Sequence, residues 1–238
     1  MRIAVFSDIH GNKHALDAVL ADIPSREPDL VICLGDLVGY GAYPDAVVQT
    51  IRKSGILTVM GNYDDAIGNR RMVCGCDYQD EKAMEAGVKS ISWTMGNTGE
   101  ANKEFLLSLP DKIVKEIDGR RVLFVHGSPR KLNEYLYEDV PAADLIPMLQ
   151  EANADVLVCG HTHLPYHRVV EGWHIINAGS AGKPKHGDPR AVYALIEMGN
   201  DIQVDFIKVP YDHESAARAV EKAGLPAEFA AIIRTGKS

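Results

Sequence analysis

Five short apolar runs in this chain each end in a residue that can hold a metal. The runs are IAVF, LVICL, ILTVM, VLFV and DVLVC, and behind them come Asp8-Ile9-His10, Gly35-Asp36, Gly61-Asn62, His126-Gly127 and Gly160-His161-Thr162-His163. An unbroken run of β-branched and aliphatic residues marks a strand covered on both faces, which belongs in a parallel or mixed sheet flanked by helices. In an open α/β sheet, ligands gather beyond the carboxyl ends of the strands. Asp8 and His10, two apart, lie on one side of an extended chain and can converge on a point. The glycines beside these residues permit tight turns and close backbone approach.

Between the runs the period changes. Leu16, Val19, Leu20 and Ile23 recur at helical spacing over His14–Ile23, which Pro24 closes, and Pro44 opens a second helix to Lys53. The first sixty residues therefore read as β-α-β-α-β, with strands at 3–6, 30–34 and 56–60. From Asp64 to Pro110 no strand is expected; 79–95 and 99–109 read as helices anchored by Trp93, Phe105, Leu106 and Leu109. Strands resume at 112–117 and 121–125 around Asp118-Gly119, a hairpin signal. A helix follows over 141–153, then a buried strand over 155–159. Hairpins are expected at 166–170 with 173–177, and at 191–197 with 202–209. The tail reads as a helix over 212–223 and a short one over 226–233. With no repeat, low-complexity tract or linker, 1–238 reads as a single domain of α/β class.

Seven candidate ligands, Asp8, His10, Asp36, Asn62, His126, His161 and His163, exceed one tetrahedral site and suit two metals. Oxygen and nitrogen donors without cysteine favour divalent Mn, Fe, Co, Ni or Zn over Ca or Mg. Cys33 and Cys159 sit in apolar runs and read as core thiols. Cys74-Gly75-Cys76 reads as plain loop thiols rather than a redox or zinc pair. The net charge of −8 argues against nucleic acid or an anionic membrane as main partner. No stretch is apolar for long enough to span a bilayer, and the N-terminus lacks a signal-peptide layout, so a cytoplasmic location is expected.

These motifs resemble the calcineurin-like metallophosphoesterase family, and look closest to its compact bacterial and archaeal phosphodiesterases, the YfcE-like branch. Asp8-x-His10, Gly35-Asp36-x-x-Gly39, Gly61-Asn62-x-Asp64, His126-Gly127 and Gly160-His161-Thr162-His163 occur in the family order. Asn177-Ala178-Gly179-Ser180 resembles the family's closing turn, with Ala178 in place of proline. The resemblance implies a four-layer αββα sandwich of two mixed β-sheets flanked by helices, interrupted by the helical insertion around 64–110. It also implies that one metal takes Asp8, His10 and His163, the other Asn62, His126 and His161, with Asp36 bridging. The expected activity is phosphoester hydrolysis, with a metal-bridging hydroxide attacking phosphorus in line; small phosphodiesters are the favoured substrates. A phosphomonoesterase is the alternative, and a non-catalytic interaction scaffold ranks below it. Asn62, Tyr63 and His126 are the expected catalytic residues. Tyr63 departs from the family pattern, in which His often follows the Asn. A phenol of pKa about 10 donates a hydrogen bond but suits acid catalysis near neutrality poorly. Tyr63 is thus expected either to donate to phosphate or to pack its ring beneath the insertion. His14 is expected to cap or pack and Trp93 to anchor the insertion; Lys183, Lys185, His186 and Arg190 read either as a solvated loop, the favoured reading, or as side chains that reach a phosphate.

Overall fold

The computed structural model describes residues 1–77 and 80–237. Two five-stranded mixed sheets face each other. The first is built from β1 (Arg2–Phe6), β2 (Leu30–Cys33), β3 (Leu57–Thr58), β9 (Ala191–Glu197) and β10 (Gln203–Val209), in the order β10-β9-β1-β2-β3. The second is built from β4 (Lys112–Ile117), β5 (Arg120–Val125), β6 (Val156–Cys159), β7 (Tyr166–Val170) and β8 (Trp173–Asn177), in the order β4-β5-β6-β8-β7. Within the first sheet β1, β2 and β3 are parallel, and within the second β5, β6 and β8 are parallel.

The strand period of two assigns the faces. Ile3 and Val5 of β1 join Ile32, Val122, Phe124, Val156, Val158 and Ile176 in a core between the sheets. Ala4 and Phe6 point the other way, into a core with α1 (Lys13–Asp22) and α2 (Pro44–Ser54). On the far side, Leu123, Val125, Leu157 and Cys159 pack on α6 (Ala142–Ala152). The layers therefore run helix, sheet, sheet, helix, as the resemblance implied. The two-residue turns Asp118-Gly119 and Glu171-Gly172 have positive φ at both positions, the conformation that matches strand twist in a hairpin.

Among the described residues the segment between Thr58 and Lys112 holds helices and no strand: α3 (Asn62–Gly68), α4 (Glu81–Gly96) and α5 (Glu100–Leu107). The expected start of α4 at Gln79 lies outside the described residues. Three local expectations are corrected. α3 goes unseen in the sequence because its first turn is polar; it is held by the Gly61 amide donating to Asp64 Oδ2 at 3.0 Å. β3 is shorter than 56–60 because the Met60 amide leaves the sheet to donate to Pro110 O at 2.8 Å, tying together the two ends of the insertion. Cys74 and Cys76 are not plain thiols but form a disulfide: Gly75, at φ +72°, turns the chain so that their Cα atoms come within 5.5 Å. Trp93 and Ala86 carry the insertion onto a fourth cluster formed by α7 (His213–Lys222) and α8 (Ala227–Thr235). His14 packs on Tyr43, ring centroids 5.7 Å apart.

Candidate metal centre

The parallel strands of both sheets end at one rim. Register puts the loops level: Asp8 N–H donates to Gly35 O and His10 N–H to Asp36 O, while Gly160 N–H donates to His126 O. All seven predicted side chains are buried there. Asp8, His10 and His163 form one group of closely spaced donor atoms, and Asp36, His126 and His161 a second. Asn62 Oδ1 lies 3.0 Å from His126 Nε2, which adds it to the second group. Asp36 Oδ2 is 3.6 Å from His10 Nε2 and 3.5 Å from His126 Nε2, so one carboxylate oxygen stands between the groups.

The backbone is bent to achieve this. Among the described residues eleven non-glycine residues have positive φ, and five of them are Asp8, His10, Asp36, His161 and His163. Such residues are uncommon, and each costs on the order of 1–3 kcal/mol that the surrounding structure must hold. The holding contacts are visible. Asp8 Oδ2 accepts from His161 N–H at 3.0 Å, and Ser180 Oγ donates to Asp8 O at 2.8 Å. Gly182 packs so closely that a Cβ would sit 1.8 Å from Ile9 O. Asn177 donates to Gly160 O and accepts from Gly179 N–H, bracing the loop that carries both His161 and His163.

Three of the four histidines are oriented by the far nitrogen. Nδ1 of His10, His126 and His163 reaches Val38 O, Leu34 O and Lys183 O at 3.0, 2.8 and 2.5 Å. In the neutral rings of His10 and His163, donation from Nδ1 leaves Nε2 as a bare lone pair facing the centre, as it does in metal-ligating histidines; His126 reaches the same state once a metal displaces its Nε2 proton. His10 Nε2 and His163 Nε2 then face each other at 3.2 Å with no proton between them. Asp8 Oδ1 and His161 Nε2 are also buried without a hydrogen-bond partner. Buried acceptors gathered with nothing to accept from are costly, and a cation at each group satisfies them. The residues fit divalent metal.

Charge is arranged to the same end. Burial drives the pKa of His10 and of His161 down to about 3, leaving both neutral at physiological pH. Burial also opposes the charging of His126, but the Asp36 and Asp8 carboxylates outweigh it and raise its pKa to about 9. For Asp8, burial is outweighed by His163, His126 and His10, which hold its carboxyl ionised.

Around the ligands stand residues with roles the motif alone did not disclose. Asp64 is wholly buried; it accepts from the Leu37 and Gly61 amides at 2.9 and 3.0 Å and so fixes the turns that carry Asp36 and Asn62. Burial and Asp36 raise its pKa to about 7. Tyr135 lays its ring 3.9 Å from that of His161, and nothing in its sequence context announced it. The Asn62 amide nitrogen donates to Cys74 O at 3.1 Å and to Cys76 Sγ at 3.3 Å, which turns Oδ1 toward the centre. Tyr63 is 1% exposed; its ring meets His10 edge-on at 5.4 Å, and its backbone N–H donates to Asp36 Oδ1 at 2.8 Å. Lys183 is not part of a solvated loop: it is 7% exposed, whereas Gly187 and Arg190 further along are exposed.

Residues 1–201 match the family described as the calcineurin-like phosphoesterase superfamily domain. The chain belongs to that superfamily. An uncharacterized protein of Methanocaldococcus jannaschii, MJ0912, is 34% identical over 241 residues, spanning 94% of this chain and 93% of its own. A metallophosphoesterase from Sphaerobacter thermophilus superposes with a TM-score of 0.78 at 32% identity, covering 99% of both chains. The Escherichia coli phosphoesterase YfcE shares the fold at 20% identity and a TM-score of 0.51, over 88% of this chain and all of YfcE. Membership makes the chain a metal-dependent phosphoesterase by family, and two groups of metal-type residues stand where its parallel strands end. No helix among the described residues is long and apolar enough to cross a membrane.

Proposed function

We propose that this calcineurin-like phosphoesterase is a dinuclear phosphodiesterase acting on small phosphodiesters. One metal is held by Asp8, His10 and His163, the other by Asn62, His126 and His161, with Asp36 shared. The observation that carries this is the position of Asp36 Oδ2, 3.6 and 3.5 Å from one histidine of each group. A lone carboxylate between two sets of imidazole nitrogens serves two cations better than one. When bound, two divalent ions supply a water nucleophile of lowered pKa and counter-charge for the phosphoryl oxygens.

The chain's own residues do the positioning. Asp8 and Asp36 give the buried centre its negative charge, and the three Nδ1–carbonyl bonds aim the imidazoles. Asn62 presents an oxygen fixed by the bonds its NH₂ makes to Cys74 and Cys76. Tyr63 acts as a positioning residue: its amide holds Asp36 and its ring backs His10. A phenol packed in the core after Asn62 suits esters whose leaving group needs little protonation, which favours activated and small diesters over monoesters. The oxygen and nitrogen donor set favours manganese, iron, cobalt, nickel or zinc.

The test is a substrate panel run on protein loaded with each of these metals, including nitrophenyl diesters and monoesters, cyclic nucleotides, dinucleotides and short nucleic acids. Hydrolysis of diesters in preference to monoesters, lost on chelation and restored by metal, is expected. Preference for monoesters would replace the diester assignment, and metal binding without turnover of any ester would leave a scaffold.

A further inference from the structure

A buried ammonium stands beside the metal centre without an ion pair. Lys183 follows the turn Asn177–Gly182 that clamps the Asp8 loop, and its own carbonyl accepts from His163 Nδ1 at 2.5 Å. Its Nζ lies 3.9 Å from the centroid of the Tyr40 ring and 5.9 Å from that of Phe229. Tyr40 is itself bent to positive φ, and its ring meets His10 at 4.9 Å and Phe229 at 4.8 Å. The side chain is therefore one ring away from a proposed ligand of the first metal. Among the described residues no carboxylate comes within 4.0 Å of Nζ. Aromatic faces hold a cation in place, at roughly 0.5–2 kcal/mol per contact, without neutralising it. Buried charges are otherwise paired, so an anion beside Nζ stabilises its charged form. Burial and the Lys185 ammonium press its pKa well below that of a free lysine, against the pull of Asp8, Glu228 and Asp36, so the charge is disfavoured while it has no partner.

Resting on the phosphoesterase reading, we propose that Lys183 binds the non-bridging oxygen of the substrate phosphate, held ready at the first metal by Tyr40 and Phe229. Phe229 belongs to α8, beyond the residues 1–201 that match the family, so the last helix of this chain completes its substrate site. The phosphate supplies the missing counter-charge: the ammonium donates to its oxygen, and no covalent bond forms or breaks at the lysine. A charged hydrogen bond of this kind is worth about 10–100-fold in affinity.

The test compares wild type, Lys183→Met, Lys183→Arg and Phe229→Ala, all loaded with manganese. It measures bound metal, the affinity for inorganic phosphate by calorimetry, and KM and kcat for a bis-nitrophenyl diester. Lys183→Met is expected to weaken phosphate binding and raise KM at least 10-fold, with metal content unchanged and kcat within about threefold. Lys183→Arg restores phosphate affinity to within about threefold, and Phe229→Ala falls between. Phosphate affinity equal to wild type in Lys183→Met overturns the proposal, as does loss of bound metal in both lysine variants, which makes the residue structural. Phosphate affinity reads Lys183 even if no ester is hydrolysed; absence of turnover by the wild type counts against the phosphodiesterase assignment alone.

Discussion

At the scale of single residues, the seven side chains gathered at one rim were legible as candidate ligands because each follows an apolar run, a context that a core histidine does not repeat five times over. What the same reading missed has a common cause. Asp64 and Tyr135 owe their roles to burial by segments far away in sequence; the burial of Lys183, a residue read as loop or phosphate-reaching, comes from Tyr40 and from Phe229, 46 positions further on, and no local pattern announces that contact. Tyr63 shows what geometry adds to two readings that composition leaves equal. Its ring fills the space over Gly39, where a Cβ would lie 2.3 Å from Tyr63 Cδ1, and its useful polar group toward Asp36 is the backbone amide. Tyr63→Phe keeps both ring and amide. Its kcat on good and on poor leaving groups is expected to stay within about threefold of wild type. A loss confined to poor leaving groups, measured on a series of nitrophenyl and alkyl diesters, would return the phenol to acid catalysis.

At the scale of elements, the apolar strands other than β3 and their hairpins were read almost to the residue, since burial on both faces leaves a composition that little else explains. The insertion was recognised as helical, but α3 was not, because its N-terminus rests on the Asp64 carboxylate rather than on apolar periodicity. The α7–α8 pair is fastened by charge at its surface: Arg234 bonds Glu214 and Glu221, and Arg218 bonds Glu214. Hydrogen bonds from Arg234, then Arg218, lower the Glu214 pKa to about 2 from its ordinary 4.5. A folded-state pKa below the unfolded one gives stabilisation that is complete above pH 4.5 and disappears as pH falls through about 2. The group is exposed, so salt screens the effect. The protection factors of α8 amides at low ionic strength are expected to fall over this pH window more than those of α2, and the difference should shrink in 1 M salt. An equal fall in both helices would show that the clamp contributes nothing.

At the scale of the whole molecule, the proposed ligands come from both sheets. Asp8, His10, Asp36 and Asn62 leave the ends of the first, while His126, His161 and His163 leave the ends of the second. Each group of three mixes the two sources. Removing metal with a chelator is therefore expected to lower the melting temperature, reversibly on adding metal back. For free metal at one hundred times Kd the gain is about 2.7 kcal/mol per site. An unchanged melting temperature would mean that the groups do not hold metal in solution.

The left-handed backbone at Asp8, His10, Asp36, His161 and His163 carries a consequence for the order of events as the chain folds. Residues 153 positions apart, His10 and His163, must already be neighbours before the first pocket exists, and neither loop rests comfortably alone. Capture of metal then comes late, after both sheets have formed and met. An interaction absent from the transition state slows unfolding and leaves the folding rate alone. Metal is therefore expected to act as a latch rather than as a nucleus. In stopped-flow experiments the refolding limb should be the same with chelator as with manganese, while the unfolding limb slows as manganese is added.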